Sequence, residues 1–117
     1  MLVGTVKVGL AVEDDSGLDS RVSSRFGRAP YLAIVELEDG EIRGVRVVEN
    51  PGASARSGAG TKAVQRLLEE GVRVAVAGAF GPNAMTALEE LGIETVELAG
   101  VSVEEALQRI RTKLQGQ

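Results

Sequence analysis

Residues 23–31 read Ser-Ser-Arg-Phe-Gly-Arg-Ala-Pro-Tyr and stand at the start of an apolar run that is typical of a β-strand. The stretch contains two arginines, one of the two phenylalanines and the single tyrosine of the chain. Gly27 permits a backbone shape that residues with a Cβ resist, and Pro30, which cannot donate to a sheet ladder, fits the first residue of a strand. Arg25 and Arg28 carry planar guanidinium groups that suit carboxylate or phosphate. The pattern indicates either an anion-contacting loop with an aromatic anchor or a structural loop whose arginines pair with nearby acidic residues.

Apolar and β-branched residues predict five strands, which span residues 5–12, 31–37, 41–48, 72–77 and 93–98. Asp39 and Gly40 stand between the second and third strands and predict a tight hairpin, so these two strands should be antiparallel neighbours. The fourth strand is almost entirely apolar, as expected in a sheet covered on both faces.

Three helices are predicted from the 3.6-residue apolar period. The first spans about residues 60–70, and the second begins near Pro82 and ends at Gly92. Ser102 and Glu105 form a capping box for the last helix. The buried stripe of that helix is predicted to comprise Val103, Ala106, Leu107, Ile110 and Leu114. The order β-β-β-α-β-α-β-α predicts a single α/β domain over residues 1–117, with helices packed on a mixed sheet.

Three glycine-containing segments carry a resemblance to a known family. They are the stretch Ser24-Arg25-Phe26-Gly27-Arg28-Ala29-Pro30-Tyr31, the stretch Ser57-Gly58-Ala59-Gly60, and the stretch Gly78-Ala79-Phe80-Gly81-Pro82-Asn83-Ala84 with Gly92-Ile93 downstream. Together they resemble the dinitrogenase iron–molybdenum cofactor accessory family, which includes stand-alone domains and carriers such as NifX. The resemblance implies a ribonuclease-H-like, five-stranded mixed sheet of order 3-2-1-4-5 with strand 2 antiparallel. It also implies a nitrogen fixation-related ligand, namely an iron–sulfur or iron–molybdenum cofactor or its precursor.

The composition excludes several kinds of site. The 117 residues contain no cysteine and no histidine, so disulfides, thiolate or imidazole metal ligands and the commonest general base are absent from this sequence. The formal charge of −4 does not favour non-specific nucleic-acid binding. No apolar run is long enough to span a membrane and no signal-type region is evident, so we expect a cytoplasmic protein. Glutamate and arginine dominate the charged residues, a composition consistent with a thermophile.

The implied strand order brings the unusual loops to one edge of the sheet, which we call the rim. Ligands of open α/β sheets bind outside the carboxyl ends of strands, and two helix N-termini, near Gly60 and Pro82, would also lie there. Their unpaired N–H groups and nearby arginines suit an anion with several acceptor atoms. The alternative is that the glycines only close tight loops. The candidate ligand-binding residues are Arg25, Phe26, Gly27, Arg28, Arg56, Gly58, Gly60, Thr61, Gly78, Gly81 and Asn83.

Other chemistries fit the sequence less well. Residues 58–62 lack the G-x-x-x-x-G-K-[ST] pattern of a P-loop, and no G-x-G-x-x-G follows the first strand. Glu13, Asp14 and Asp15 could bind Mg²⁺ through oxygen, and a metal-dependent nuclease is the weakest of the functions considered. The middle of the first strand offers no carboxylate, and no nucleophile stands beside an evident base. We therefore expect no catalysis.

Two functions of different kinds remain. The first is a non-enzymatic carrier or accessory domain that holds a metal cluster or another anionic small molecule at the rim, with a cluster-assembly protein as its partner. The second is a small regulatory or interaction module that docks on a partner protein through exposed rings of Phe26 and Tyr31. Buried rings would favour an anchor for the ligand loop, whereas exposed rings would favour docking.

Overall fold

A computed structural model describes residues 4–116, and describes side chains as far as residue 112. Five strands form one sheet: β1 (Thr5–Val12), β2 (Tyr31–Glu38), β3 (Glu41–Glu49), β4 (Val74–Ala77) and β5 (Glu94–Glu97). Three helices complete the fold: α1 (Ala59–Glu70), α2 (Pro82–Glu90) and α3 (Val103–Gly116). A short 3-10 turn, Gly17–Asp19, follows β1 and was not predicted. None of the helices in this described part is long and apolar enough to cross a membrane.

The sheet has the order β3-β2-β1-β4-β5, which confirms the predicted topology. β2 is antiparallel to both β1 and β3, whereas β4 is parallel to β1 and to β5. The predicted hairpin is confirmed by the backbone, because Asp39 has φ 52° and Gly40 has φ 85°. This pair of positive φ angles is the requirement of the tight turn that matches strand twist.

Both faces of the sheet are covered. α3 packs on one face through Val103, Ala106, Leu107 and Ile110, as predicted from its apolar stripe. α1 and α2 cover the other face, where Leu67 and Leu88 are fully buried. Leu114, which was also predicted to be buried, lies outside the residues whose side chains are described. Because α1 and α2 follow β3 and β4 at their carboxyl ends, both helices begin at the rim.

Two predicted strands are shorter than their apolar runs. The fourth was predicted from Val72, but the strand begins at Val74, because the amide N–H of Val72 donates to the Leu67 carbonyl at 3.1 Å and closes the end of α1. The fifth strand spans Glu94–Glu97 rather than residues 93–98. Apolar character therefore marked Val72 and Ile93 correctly as buried, although their N–H groups close the preceding helices and do not pair in the sheet.

Candidate functional site

The loop of residues 20–30, which we call the arginine loop, crosses the carboxyl ends of β1 and β4 and is fixed there by backbone hydrogen bonds. The Ser23 N–H donates to the Ala11 carbonyl at the end of β1 (2.7 Å), and the Ser23 carbonyl accepts from the Gly78 N–H after β4 (2.9 Å). The Phe26 N–H donates to the Ala79 carbonyl (3.0 Å). The arginine loop therefore lies directly against the segment that leads into α2.

Phe26 anchors this loop in the core. Its side chain is 1% exposed, and its ring centroid lies 5.0 Å from that of Phe80 in a tilted arrangement. Tyr31 is partly buried and packs on the opposite face of the sheet, in the cluster that contains α3. A buried Phe26 is the outcome that favours an anchor for the ligand loop over a docking ring.

The first turns of α1 and α2 are in close contact. A Cβ built on Gly60 would lie 2.9 Å from the Cβ of Ala84, and a Cβ on Gly27 would lie 2.9 Å from the Gly60 backbone nitrogen. Both distances are below the ordinary contact range of 3.4–4 Å. The glycines thus permit the arginine loop and the two helix starts to approach each other more closely than residues with a Cβ would allow.

Neither helix start has a side-chain cap. The N-cap residues are Gly58, in the left-handed region with φ 69°, and Gly81. Among the described residues, no side chain accepts from the N–H groups of the first turns, which in α2 begin at Asn83 because Pro82 has none. The first N–H groups of an α-helix have no partner within the helix and carry a partial positive charge. Two such sets of donors therefore converge at one place on the rim.

A cavity of about 390 Å³ opens between these segments. Most of the predicted ligand-binding residues line it, namely Arg25, Phe26, Gly27, Arg28, Gly58, Gly60, Thr61, Gly81 and Asn83. Two do not. Arg56 is exposed outside the lining, and Gly78 lies behind it, where an added Cβ would meet the Ser24 backbone at 2.8 Å. The structure thus groups the predicted residues around one cavity and separates these two from it.

The sequence interpretation missed the apolar part of the lining, which consists of Ala59, Ala79, Phe80, Pro82 and Ala84. Phe80 is the informative member, because its partly buried ring packs against Phe26 and also borders the cavity. Its position between two glycines of the second glycine-rich turn was a usable signal. A large apolar side chain is an unusual choice for a segment that only turns.

The two arginines of the lining differ in their contacts. The Arg28 Nη1 donates to the Ala55 carbonyl at 2.6 Å and to the Gly52 carbonyl at 3.4 Å, so the side chain borders the cavity and holds the loop before α1. Arg25 is exposed and has no side-chain hydrogen bond or ion pair within the described residues. An arginine has five N–H donors, so both side chains keep donors for a ligand.

The predicted alternative, in which these arginines pair with acidic residues of the first turn, is not what the described contacts show. The ion pairs among residues 4–112 use Arg43, Arg46, Arg66 and Arg109. Asp14 instead accepts from the Ser20 hydroxyl (2.8 Å) and the Ser16 N–H (3.1 Å). The Ser20 hydrogen bond, with the Ser16 N–H, holds the pKa of Asp14 below its ordinary value.

The donor set decides what the cavity could hold. Its lining offers amide N–H groups, two guanidinium groups and the polar side chains of Thr61 and Asn83, with no carboxylate, thiolate or imidazole. Within the described residues, no group of three metal-ligating side chains occurs, and the acidic turn at Asp14 does not form one. The lining therefore combines hydrogen-bond donors and positive charge with one apolar wall.

Comparisons with known proteins extend over the whole fold. The family model described as dinitrogenase iron–molybdenum cofactor matches residues 6–113, which include every segment of the cavity. Protein MJ0580 of Methanocaldococcus jannaschii is 29% identical over 105 residues, covering 90% of this chain and 85% of that protein. The apo form of the orange protein from Desulfovibrio gigas has a TM-score of 0.80 and 32% identity, covering 99% of this chain and 92% of that chain. TM1290 from Thermotoga has a TM-score of 0.73 and 33% identity, covering 90% and 86%.

Proposed function

This chain belongs to the dinitrogenase iron–molybdenum cofactor family, and we propose that it is a non-enzymatic carrier of an anionic, sulfide-containing metal cluster or its precursor. The cluster is cargo, held in the rim cavity by hydrogen bonds and charge rather than by a bond from the protein to a metal. The observation that carries the proposal is the meeting of two uncapped helix starts with Arg25 and Arg28 around one cavity.

The absence of metal ligands sets the binding mode. Iron–sulfur clusters are ordinarily held by cysteine thiolates, and this sequence contains neither cysteine nor histidine. A cluster that keeps its own sulfide ligands presents a negatively charged surface of acceptor atoms. Amide N–H groups at a helix start and guanidinium groups are the donors that bind such a surface. The donor set of the cavity is therefore suited to a complete cluster or a thiometallate, and unsuited to a bare metal ion.

The apolar wall supports a sulfide-containing anion over an oxyanion. Phe80, Pro82 and Ala84 border the cavity beside the cationic groups. An oxyanion of high charge density would lose strong hydration against these side chains without compensation. A sulfide surface is softer and less strongly hydrated, so it can contact an aromatic ring while its other side meets the N–H donors.

A carrier must also be able to release its cargo to another protein. A cargo held by hydrogen bonds and ion pairs is released without breaking a metal–protein bond, so a second protein can take it up. We propose a cluster-assembly protein as that partner and the cytoplasm as the compartment. A phosphorylated or carboxylated small molecule is the alternative occupant of the same cavity, because its anionic groups would meet the same donors.

Tetrathiomolybdate and molybdate provide a matched test, since they share shape and charge and differ in sulfur against oxygen. We expect the protein, incubated anaerobically with each and passed through a gel-filtration column, to retain molybdenum only from the sulfur compound. The proposal is refuted if the protein retains neither anion and also retains no iron after incubation with an iron–sulfur precursor. Retention of molybdate or phosphate in preference would favour the small-anion alternative.

Variants locate the binding. Arg25→Ala should weaken tetrathiomolybdate binding by about tenfold or more, because a hydrogen bond to a charged group contributes about 1.5–3 kcal/mol. Arg43→Ala is the matched control, since Arg43 is exposed, pairs with Glu38 and lies on β3 away from the cavity. Equal affinity in the two variants would place the bound anion elsewhere.

A further inference from the structure

The loop that joins β3 to α1, residues 50–58, borders the cavity only through its last residue, Gly58. It nevertheless begins with Asn50, whose residue surface is only 3% exposed. Among the described residues, Asn50 is one of three buried polar or charged ones, with Ser20 and Ser23. A buried amide is costly unless its hydrogen-bonding groups are satisfied, so its partners indicate what it does.

The Asn50 side chain connects two segments that border the cavity from different sides. Its Nδ2 donates to the Phe26 carbonyl at 3.1 Å, in the arginine loop. Its Oδ1 accepts from the Gly52 N–H at 3.0 Å, in the loop before α1. The backbone N–H of Asn50 donates to the Pro30 carbonyl at 3.1 Å, which fixes its own position against the start of β2. One amide group therefore joins the arginine loop to the loop that leads into α1.

Gly52 shows how tightly this connection sets the geometry. A Cβ built on Gly52 would lie 2.4 Å from the Gly27 carbonyl oxygen and 2.3 Å from the Ala59 carbonyl oxygen. The turn made by Asn50 and Gly52 is thus inserted directly behind Gly27 and the first residue of α1. A shift of this turn would move the arginine loop relative to the N–H donors of α1.

We propose that Asn50 is a positioning residue for the rim cavity, which sets the spacing between the arginine loop and the start of α1 without touching the cargo. The inference rests on the proposed function of the cavity as an anion site. Arg28 extends the same arrangement, because its Nη1 holds the Ala55 carbonyl of the loop that Asn50 begins. Loss of the Asn50 amide frees the Phe26 carbonyl and removes the link that fixes the distance between the guanidinium groups and the helix donors.

The test compares Asn50→Ala and the milder Asn50→Ser with Leu107→Ala, using tetrathiomolybdate as the probe well below each melting temperature. Leu107 is fully buried on α3, on the face of the sheet opposite α1 and α2, so its truncation destabilises the fold without reaching the rim. We expect Asn50→Ala to weaken binding by about tenfold, the effect of losing roughly one hydrogen bond to a charged cargo when the donors shift. Asn50→Ser, whose hydroxyl can still accept from the Gly52 N–H, should give a smaller loss.

The outcomes separate the two proposals. If the unaltered protein binds the probe and both folded Asn50 variants bind it equally well, the positioning role is refuted and the anion site stands. If Leu107→Ala weakens binding as much as Asn50→Ala does, the effect follows general stability and the positioning role is again refuted. If the unaltered protein binds no anion, the proposed function fails and the role of Asn50 fails with it. Should Asn50→Ala not fold, the comparison of Asn50→Ser with Leu107→Ala decides in the same way.

Discussion

Gly60→Ala tests whether the spacing between the starts of α1 and α2 determines both packing and binding. The new Cβ would lie 2.9 Å from the Ala84 Cβ, whereas ordinary contact is 3.4–4 Å, so the helix starts must separate by about 0.5–1 Å. Overpacking of this kind costs about 1–3 kcal/mol. Alanine in place of glycine within a helix returns up to about 1 kcal/mol through propensity. We expect a net loss of roughly 0–2 kcal/mol in the free energy of unfolding.

The double variant Gly60→Ala with Ala84→Gly isolates the contact. Removing the Ala84 Cβ vacates the space that the new Cβ needs, so the two substitutions should couple favourably by about 1–2 kcal/mol in urea denaturation. In a thermal scan, 1 kcal/mol corresponds to about 4 °C for a domain of this size. Tetrathiomolybdate affinity should fall by about tenfold in Gly60→Ala, because separated helix starts lose roughly one hydrogen bond to the anion, and it should recover in the double variant. If Gly60→Ala stabilises the protein and the two substitutions are additive within about 0.5 kcal/mol, the reasoning from the close approach is wrong.

Three further predictions concern single side chains. Arg28→Ala removes the hydrogen bond to the Ala55 carbonyl, so the melting temperature should fall by the equivalent of about 0.5–1.5 kcal/mol. Anion affinity should fall as well, and a change in only one of these two quantities would contradict the double role of Arg28. Arg46 donates to Glu70 and holds its pKa below the ordinary value, so this stabilisation is complete above roughly pH 5 and is lost as pH falls through the lowered pKa. Urea denaturation across acidic pH should be less pH-dependent in Glu70→Gln, and an unchanged profile would exclude this contribution. Ser102→Ala removes the acceptor of the Glu105 N–H at 3.1 Å and should cost about 1 kcal/mol by the same assay, whereas Ser102→Asp should retain most of the stability.

The fold was predictable because local signals and tertiary packing agree in this chain. One conformation is clearly lowest in energy for each of three local signals: the apolar run of β1, the hairpin at Asp39 and Gly40, and Pro82 at the first position of α2. The errors lie where a hydrogen bond that closes the preceding helix decides the boundary. Val72 is as apolar as a strand residue, but its N–H is used to close α1.

The candidate site was predictable to a different extent. The strand order brings the glycine segments to one rim, so the grouping of Arg25, Gly60 and Asn83 follows from topology once the order is known. Arg56 was predicted on proximity in sequence to Gly58, but nothing in composition indicates which way an exposed loop side chain lies. Asn50 was not among the predicted site residues, because hydrogen bonds between distant loops leave no periodic pattern in the sequence.

The glycines of the rim cannot by themselves identify a ligand site, because packing already requires some of them. A Cβ at Gly27 would meet the Gly60 nitrogen at 2.9 Å, and one at Gly52 would meet two carbonyl oxygens, so these residues must be glycine whether or not anything binds. Phe26 is likewise explained without a ligand, because its buried ring contributes to the hydrophobic core. Arg25 is different, because it is exposed, borders the cavity and makes no side-chain hydrogen bond within the described residues. Packing gives no reason for an arginine there, whereas an anion between two uncapped helix starts does, so Arg25→Ala is the substitution that separates binding from folding.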